Sequence, residues 1–164
     1  VSSLAPGLRR LRRTRLFRAI GRWIHDHARI AAVSTEIAEV KCVRFRAACL
    51  GLCLGEVRLV TRTACDDPLT GYWLMSLSVR PLFRRMGIGA ALCRAVPETA
   101  RDRGAEAVRL TVRHDNESAT SLYQKLGFRI LPPTADLAPE LERMERLGGA
   151  PYVAMEAELT SGPP

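Results

Sequence analysis

Two stretches of this chain carry residue types and spacings that could do chemistry. In the first, Leu77-Ser78-Val79-Arg80-Pro81 leads into Arg84-Arg85-Met86-Gly87-Ile88-Gly89-Ala90, a strand-like segment joined to a helix start by a basic turn with two glycines. Glycine has no Cβ, so the backbone can approach a ligand closely. The free N–H groups of a first helical turn attract anionic oxygens, helped by the helix dipole. Such a turn suits a pyrophosphate. A lone G-x-G is weak evidence, because glycines also open helices that pack tightly. Two other phosphate loops are excluded. A dinucleotide fingerprint wants a small third residue where this chain has Leu92, and a P-loop needs Gly-Lys-Ser/Thr, which does not occur. The second stretch, from Asn116 to Phe128, predicts another helix with one tyrosine, Tyr123, near its end.

The elements that must position these residues follow from periodicity. Leu8, Leu11, Leu16, Ile20 and Ile24 give loose helical spacing from Leu4 to about Ala32, entered through Pro6-Gly7. Val40 to Val60 turns β-like and is punctuated by Gly51 and Gly55, which predicts a hairpin with a turn or bulge at the glycines. Asp66 to Gly71 reads as a loop and Tyr72 to Val79 as a strand. A helix from about Gly87 to Arg103 ends at Gly104, with Pro97 predicted to kink it or split it in two. Ala107 to Arg113 alternates as a strand, the second helix covers about Glu117 to Leu126, and short strands are expected at Phe128–Leu131 and Tyr152–Leu159. Between those strands, Leu137, Leu141, Met144 and Leu147 mark a small amphipathic helical insert. The order predicts mixed α/β structure with one sheet.

Composition bounds the rest. The 164 residues fit one domain, and the longest apolar run, Ala47 to Gly55, is far short of the roughly 20 residues that cross a bilayer. A soluble protein with no membrane contact is expected. The net charge of +8 is concentrated at the start, where Arg9, Arg10, Arg12, Arg13, Arg15, Arg18 and Arg22 precede the first acid, Asp26. This arm reads first as the solvated face of a helix; a transit peptide or a nucleic-acid contact are the alternatives. Cys42, Cys49, Cys53, Cys65 and Cys93 form no C-x-x-C pair and have no histidine at ligand spacing, which argues against zinc. An odd cysteine count without a secretory signal fits a reducing compartment and places the protein in the cytoplasm. His25 and His27, two apart, would point away from each other on a helix, and Cys93 reads as core.

Taken as a pair, Arg84-x-x-Gly87-x-Gly89 and Asn116-x-x-Ala119-x-x-Leu122-Tyr123-x-x-Leu126-Gly127-Phe128 resemble the two signature motifs of the GNAT N-acetyltransferases. The resemblance runs from about Tyr72 to Ile130. The hairpin before it and Tyr152–Glu156 after it fall where that fold has strands, whereas the first forty residues match poorly and show no first strand. It implies an α/β (α+β) acyl-CoA N-acyltransferase fold with a single mixed central sheet flanked by helices. Residues 36–160 would form the domain, and 1–35 a basic helical segment of it. It also implies acetyl-CoA as donor, without a metal. Main-chain groups of Leu77 and Val79, flanking Ser78, would pair with the pantetheine arm. Arg84, Arg85, Met86, Gly87, Ile88, Gly89 and Ala90 would hold the pyrophosphate, Asn116 would contact the cofactor arm, and Tyr123 would sit near the thioester sulfur as the proton donor.

The activity so implied is direct transfer of acetyl to a primary amine of a small molecule or peptide within a ternary complex. The rival reading is an acyl-CoA-binding module whose basic arm contacts nucleic acid or the ribosome, disfavoured because Phe17 and Trp23 are the arm's aromatics for stacking. Relatives that acetylate protein N-termini often carry a glutamate where this chain has Thr111. Glu56, Asp66, Asp67, His114 and Glu117 are then the candidate bases, or the amine loses its proton to water. Alternation sends one of Tyr72 and Trp73 to the core and the other toward the cofactor side, where it would line an acceptor pocket. The insert Leu137–Leu147 is a candidate cover for that pocket or a homodimer contact.

Overall fold

A computed structural model of the chain describes residues 19, 22–24, 26–37, 40–63 and 69–159. The arginine arm up to Arg18, His25, Cys65, Asp66 and Asp67 lie outside the described residues. Seven strands form one sheet in the order β1-β2-β3-β4-β5-β7-β6. They are β1 (Arg29–Ile37), β2 (Val40–Cys49), β3 (Leu52–Arg62), β4 (Gly71–Val79), β5 (Ala107–Arg113), β6 (Arg129–Leu131) and β7 (Tyr152–Glu158). Among the described residues, helices α1 (Ile88–Asp102), α2 (Glu117–Lys125) and α3 (Ala138–Gly148) accompany them, beside the helical residues 22–24, 26 and 27. All neighbours pair antiparallel except β4 and β5, which are parallel.

Alternation along the strands sorts the sheet into two faces. Val43, Phe45 and Ala47 of β2, Val57 and Leu59 of β3, Leu74 of β4, Val108 and Leu110 of β5 and Met155 of β7 are buried with Ile88, Leu92, Cys93, Val96 and Ala100 of α1. Tyr123 of α2 joins the same core. The opposite face is covered toward its β7 end, where Trp73 and Ala154 are buried with Leu69 and Leu137, and Leu131 and Leu141 pack against them. That is the work of the amphipathic insert: α3 lies against β7, over Trp73.

Two expectations are corrected. The N-terminal helical segment does not reach Ala32; residues 22–24, 26 and 27 are helical, and the chain is extended from Arg29. The division at residue 35 therefore falls inside β1, the first strand that the sequence concealed. Ala28-Arg29-Ile30-Ala31-Ala32 contains good helix formers, but nine paired positions with β2, from Arg29↔Ala48 to Ile37↔Val40, supply ladder bonds that a propensity sum does not contain. The second correction concerns Pro97. α1 runs unbroken from Ile88 to Asp102 through it. A proline inside a helix costs about 3 kcal/mol, and burying each large side chain such as Leu92 or Val96 returns about 1.5–3 kcal/mol, so packing on the sheet holds the helix together.

Tight connections agree with their residues. Leu50 and Gly51, at φ 50° and 75°, form the β2–β3 turn with both central residues left-handed, the geometry that suits a two-residue hairpin. Gly55 is a close-approach glycine. A Cβ there would lie 2.6 Å from the Ser78 carbonyl oxygen and 3.2 Å from the Val79 Cα, so only hydrogen lets β3 sit this near the end of β4.

Candidate active site

The site begins where β4 and β5 part. Their parallel pairing is confined to Trp73↔Arg109, after which β4 runs on to Val79 and β5 to Arg113 without a ladder between them. β4 stays attached to β3 on its other side, but with a bulge. The register passes from Arg58↔Met75 to Glu56↔Ser78, so Ser76 and Leu77 together oppose Val57. Ser76 takes φ 55°, a left-handed value rare for a residue with a side chain. A bulge interrupts regular pairing and re-aims the backbone, leaving the groups around Leu77 turned away from the β3 ladder beside the gap. No glycine at Ser76 announces this bulge, and the sequence reading placed none in β4.

The basic turn stands at the open end of this gap. Arg80 N–H donates to the Leu54 carbonyl oxygen at 2.9 Å, fixing the exit of β4, and Pro81–Phe83 form one 3-10 turn. Arg84 Nε folds back to donate to the Val79 carbonyl oxygen at 3.0 Å, which holds a guanidinium at the mouth of the gap. Arg85 and Gly87 then take left-handed φ of 67° and 81°, and α1 starts at Ile88. No side chain caps this helix, and its first turn has no acidic residue, so its leading amides and partial positive charge have no side-chain acceptor from the helix's own first turn. A Cβ on Gly89 would lie 3.6 Å from both Leu122 Cδ2 and Val79 Cγ2, ordinary contact distances. The protein's own packing therefore does not demand glycine at 89. Met86 is half-buried against the core, Ile88 is fully buried and serves as a packing anchor for the turn, and Ala90 lies in the first turn of α1.

α2 closes the other side. Asn116 is its N-cap: the side-chain oxygen accepts from Ala119 N–H at 3.3 Å, which leaves the side-chain NH2 for another partner. Tyr123 is 6 % exposed, with its ring edge-on to Phe128 at 5.8 Å. Burial, with a smaller contribution from the neighbouring Cys93 thiol, raises the Tyr123 phenol above its ordinary pKa, so it stays protonated through the neutral range. Burial likewise pushes the Cys93 thiol up to about 12, partly opposed by Arg94, and makes it an inert core residue. α2 sits directly over the glycine turn, since Leu122 reaches to Gly89.

Other expected participants are distributed differently. Tyr72 and Trp73 both stand where β4 and β5 still pair, away from the gap. The Tyr72 hydroxyl donates to the Arg103 carbonyl oxygen at 2.7 Å, and Trp73 is buried under α3 with its indole N–H unpartnered among the described residues. Thr111 lies across from Ala154 on the face away from α1. Of the acids, Glu56 is on that same face opposite Ser78, beside the gap, with Arg46 at 3.7 Å and Arg58 at 3.9 Å. Glu117 opens α2 and His114 follows β5, its N–H donating to the Pro151 carbonyl oxygen. Among the described residues no group of three His, Cys, Asp or Glu is placed to hold a metal, and no helix is long and apolar enough to cross a membrane.

This geometry has counterparts. The sequence model of the acetyltransferase (GNAT) family matches residues 47–128. Among curated proteins, the chain is 37 % identical over 79 residues to the probable N-acetyltransferase camello of Xenopus tropicalis, a match covering 48 % of this chain and 35 % of that protein. It is 39 % identical over 59 residues to the thialysine N-epsilon-acetyltransferase of Sus scrofa, covering 36 % of this chain and 35 % of that one. The matched stretch thus spans about a third of the length of these relatives. Among solved structures, the ribosomal-protein-S18-alanine N-acetyltransferase of Escherichia coli superposes with a TM-score of 0.56 at 18 % identity, over 92 % of each chain. An acetyltransferase of Bacillus subtilis in complex with CoA gives 0.59 at 15 % identity, over 79 % of this chain and 99 % of that one. These two likenesses are of fold.

Proposed function

The chain belongs to the acetyltransferase (GNAT) family, and from that membership we propose that it transfers an acetyl group from acetyl-CoA to a primary amine within a ternary complex. The observation that carries the proposal is the gap between β4 and β5, which opens after Trp73↔Arg109 and ends at the uncapped start of α1. Acetyl-CoA is the donor substrate. Its pantetheine arm would pair with main-chain groups of Leu77 and Val79, with Ser78 between them, in the manner of an added strand. Its pyrophosphate would rest in the turn from Arg84 and Arg85 through Met86, Gly87, Ile88, Gly89 and Ala90, and the Asn116 amide would meet the arm.

The chemistry is largely positioning. A neutral amine attacks the thioester carbonyl, forming the C–N bond as the C–S bond breaks. A backbone N–H near Leu77 stabilises the charge that develops on the carbonyl oxygen, and Tyr123 gives its proton to the departing thiolate. The amine's surplus proton goes to water or to Glu56, the acid beside the gap on the face that α1 and α2 leave open. Relatives named for thialysine N-epsilon and for N-alpha acetyl transfer, and a structural neighbour named for an alanine of ribosomal protein S18, support a primary amine of a small molecule or protein as the acceptor class. The free cysteines Cys42, Cys49, Cys53 and Cys93 suit a reducing compartment, and the proposal places the reaction in the cytoplasm.

The test is release of the CoA thiol across a panel of primary amines. Tyr123→Phe should lower turnover by about 10²-fold, as loss of a general acid does, with acetyl-CoA binding retained. Equal turnover in the variant rejects Tyr123 as the acid, and no thiol release with any amine rejects the activity.

A further inference from the structure

The face of β1–β3 that α1 does not cover carries a charge pattern that acyl transfer from acetyl-CoA leaves unused. Residues directly opposite across a ladder share a face. Val33↔Arg44, Ala31↔Arg46, Arg29↔Ala48 and Arg44↔Arg58 therefore set Arg29, Arg44, Arg46 and Arg58 together, on the side away from the buried Val43, Phe45 and Leu59. Arg44 and Arg58 are directly opposite each other, an arrangement that destabilises a sheet. Among the described residues Glu56 is the one carboxylate set with them, 3.7 Å from Arg46 and 3.9 Å from Arg58. Arg44 has no ion pair among the described residues, and the Arg58 Nε is buried without a partner. Four guanidiniums thus share one acid.

This patch borders the gap. Arg58 faces Met75 and Glu56 faces Ser78 across β3–β4, while α1 and α2 occupy the other side of the sheet. These arginines thus lie on the open face beside the strand that borders the gap. Strands lie about 4.8 Å apart, so β1 to β3 spans roughly 10 Å, more than a single small amine occupies. Strands β1, β2 and β3 set no aromatic ring on this face for bases to stack on, since Phe45 is buried on the α1 face, and Trp73 of β4 is buried under α3. Carboxylates match the planar guanidinium fork. Resting on the acyl-transfer reading above, we infer that the acceptor is an acidic peptide: a protein segment with carboxylates a few residues from its reactive amine, bound across Arg44, Arg46 and Arg58.

The test uses three synthetic peptides with the same single α-amine and acidic, neutral or basic residues after it. The acidic peptide should be preferred by about fivefold or more in kcat/KM, through KM, and added salt should erode the preference. Arg44→Glu should collapse the acidic-to-neutral ratio and Arg44→Lys should retain most of it. Arg94→Glu, the same charge change on the outer side of α1, should leave the ratio unchanged. Thermal stability reports on folding: Arg44→Glu, which relieves the Arg44–Arg58 repulsion, should not lower Tm. Equal kcat/KM for acidic and neutral peptides overturns the inference and leaves acyl transfer standing. Thiol release with none of the peptides is instead the failure of that reading. Fluorescence anisotropy of the labelled peptides with CoA present then decides: acid-selective binding supports the surface and equal binding overturns it. Tighter binding of a single-stranded RNA oligomer, displacing the acidic peptide, also overturns it.

Discussion

Tyr123 and Cys93 show how burial assigns opposite uses to neighbouring acids. Both are pushed toward their neutral forms, chiefly by desolvation. For the phenol this keeps the proton available, so the rate should show no decline from tyrosine ionisation as pH rises to about 10, the ordinary phenol value. A pH profile of kcat compared with that of Tyr123→Phe checks this. For Cys93 the raised value has a stability consequence. In the folded protein the thiol holds its proton beyond the unfolded value of 9.0, up to about 12. Its neutral form therefore costs the fold nothing below pH 9.0, and stability is lost progressively as pH rises from there toward about 12, where the unfolded chain ionises and the buried thiol does not. The same burial protects it chemically. Iodoacetamide at neutral pH should label the partly accessible Cys42 and Cys53 and spare Cys93, with mass mapping as the readout.

At the scale of elements, the proposed site sets two glycines in different physical roles. Gly55 is required by the protein itself. Ala at this position would drive a Cβ to 2.6 Å from the Ser78 carbonyl oxygen, and backbone cannot swing aside as a side chain does. Gly55→Ala should cost about 1–3 kcal/mol of stability by overpacking, seen in denaturant unfolding, and should raise KM for acetyl-CoA because Ser78 and Val79 shift. Gly89 is spared by its own protein, since a methyl group there meets only ordinary contacts at 3.6 Å. Gly89→Ala should gain about 0.5–1 kcal/mol from helix propensity while weakening CoA binding about tenfold or more by filling the cradle. A calorimetric titration beside a melting curve separates the two effects. Loss of stability in Gly89→Ala, or undiminished CoA binding, would refute the assignment of that space to a phosphate.

At the scale of the molecule, one sheet runs from β1 to β6 but is divided by the gap between β4 and β5, which are joined by the pair Trp73↔Arg109 and by α1 packed on both strands. A ligand that spans the gap joins two halves that otherwise meet through few ladder bonds. Acetyl-CoA at a hundredfold its Kd should contribute about 2.7 kcal/mol, a rise in Tm of roughly 5–10 °C for a chain of this length, read by thermal scanning. The sequence by itself determined the pieces whose signals are local. Alternation marked Val108, Leu110 and Val112 of β5, helical spacing marked α3, and Gly87 and Gly89 with the Asn116–Phe128 segment marked the turn and the second motif. Tertiary structure alone decided the features that depend on distant partners. Arg29–Ile37 became a strand because β2 offered it a ladder, α1 stayed whole through Pro97 because it packs on the sheet, and β4 bulges at Ser76 opposite Val57 with no glycine of its own there. Pairing and packing energies of this kind are shared between segments far apart in the chain, so no single window of residues contains them.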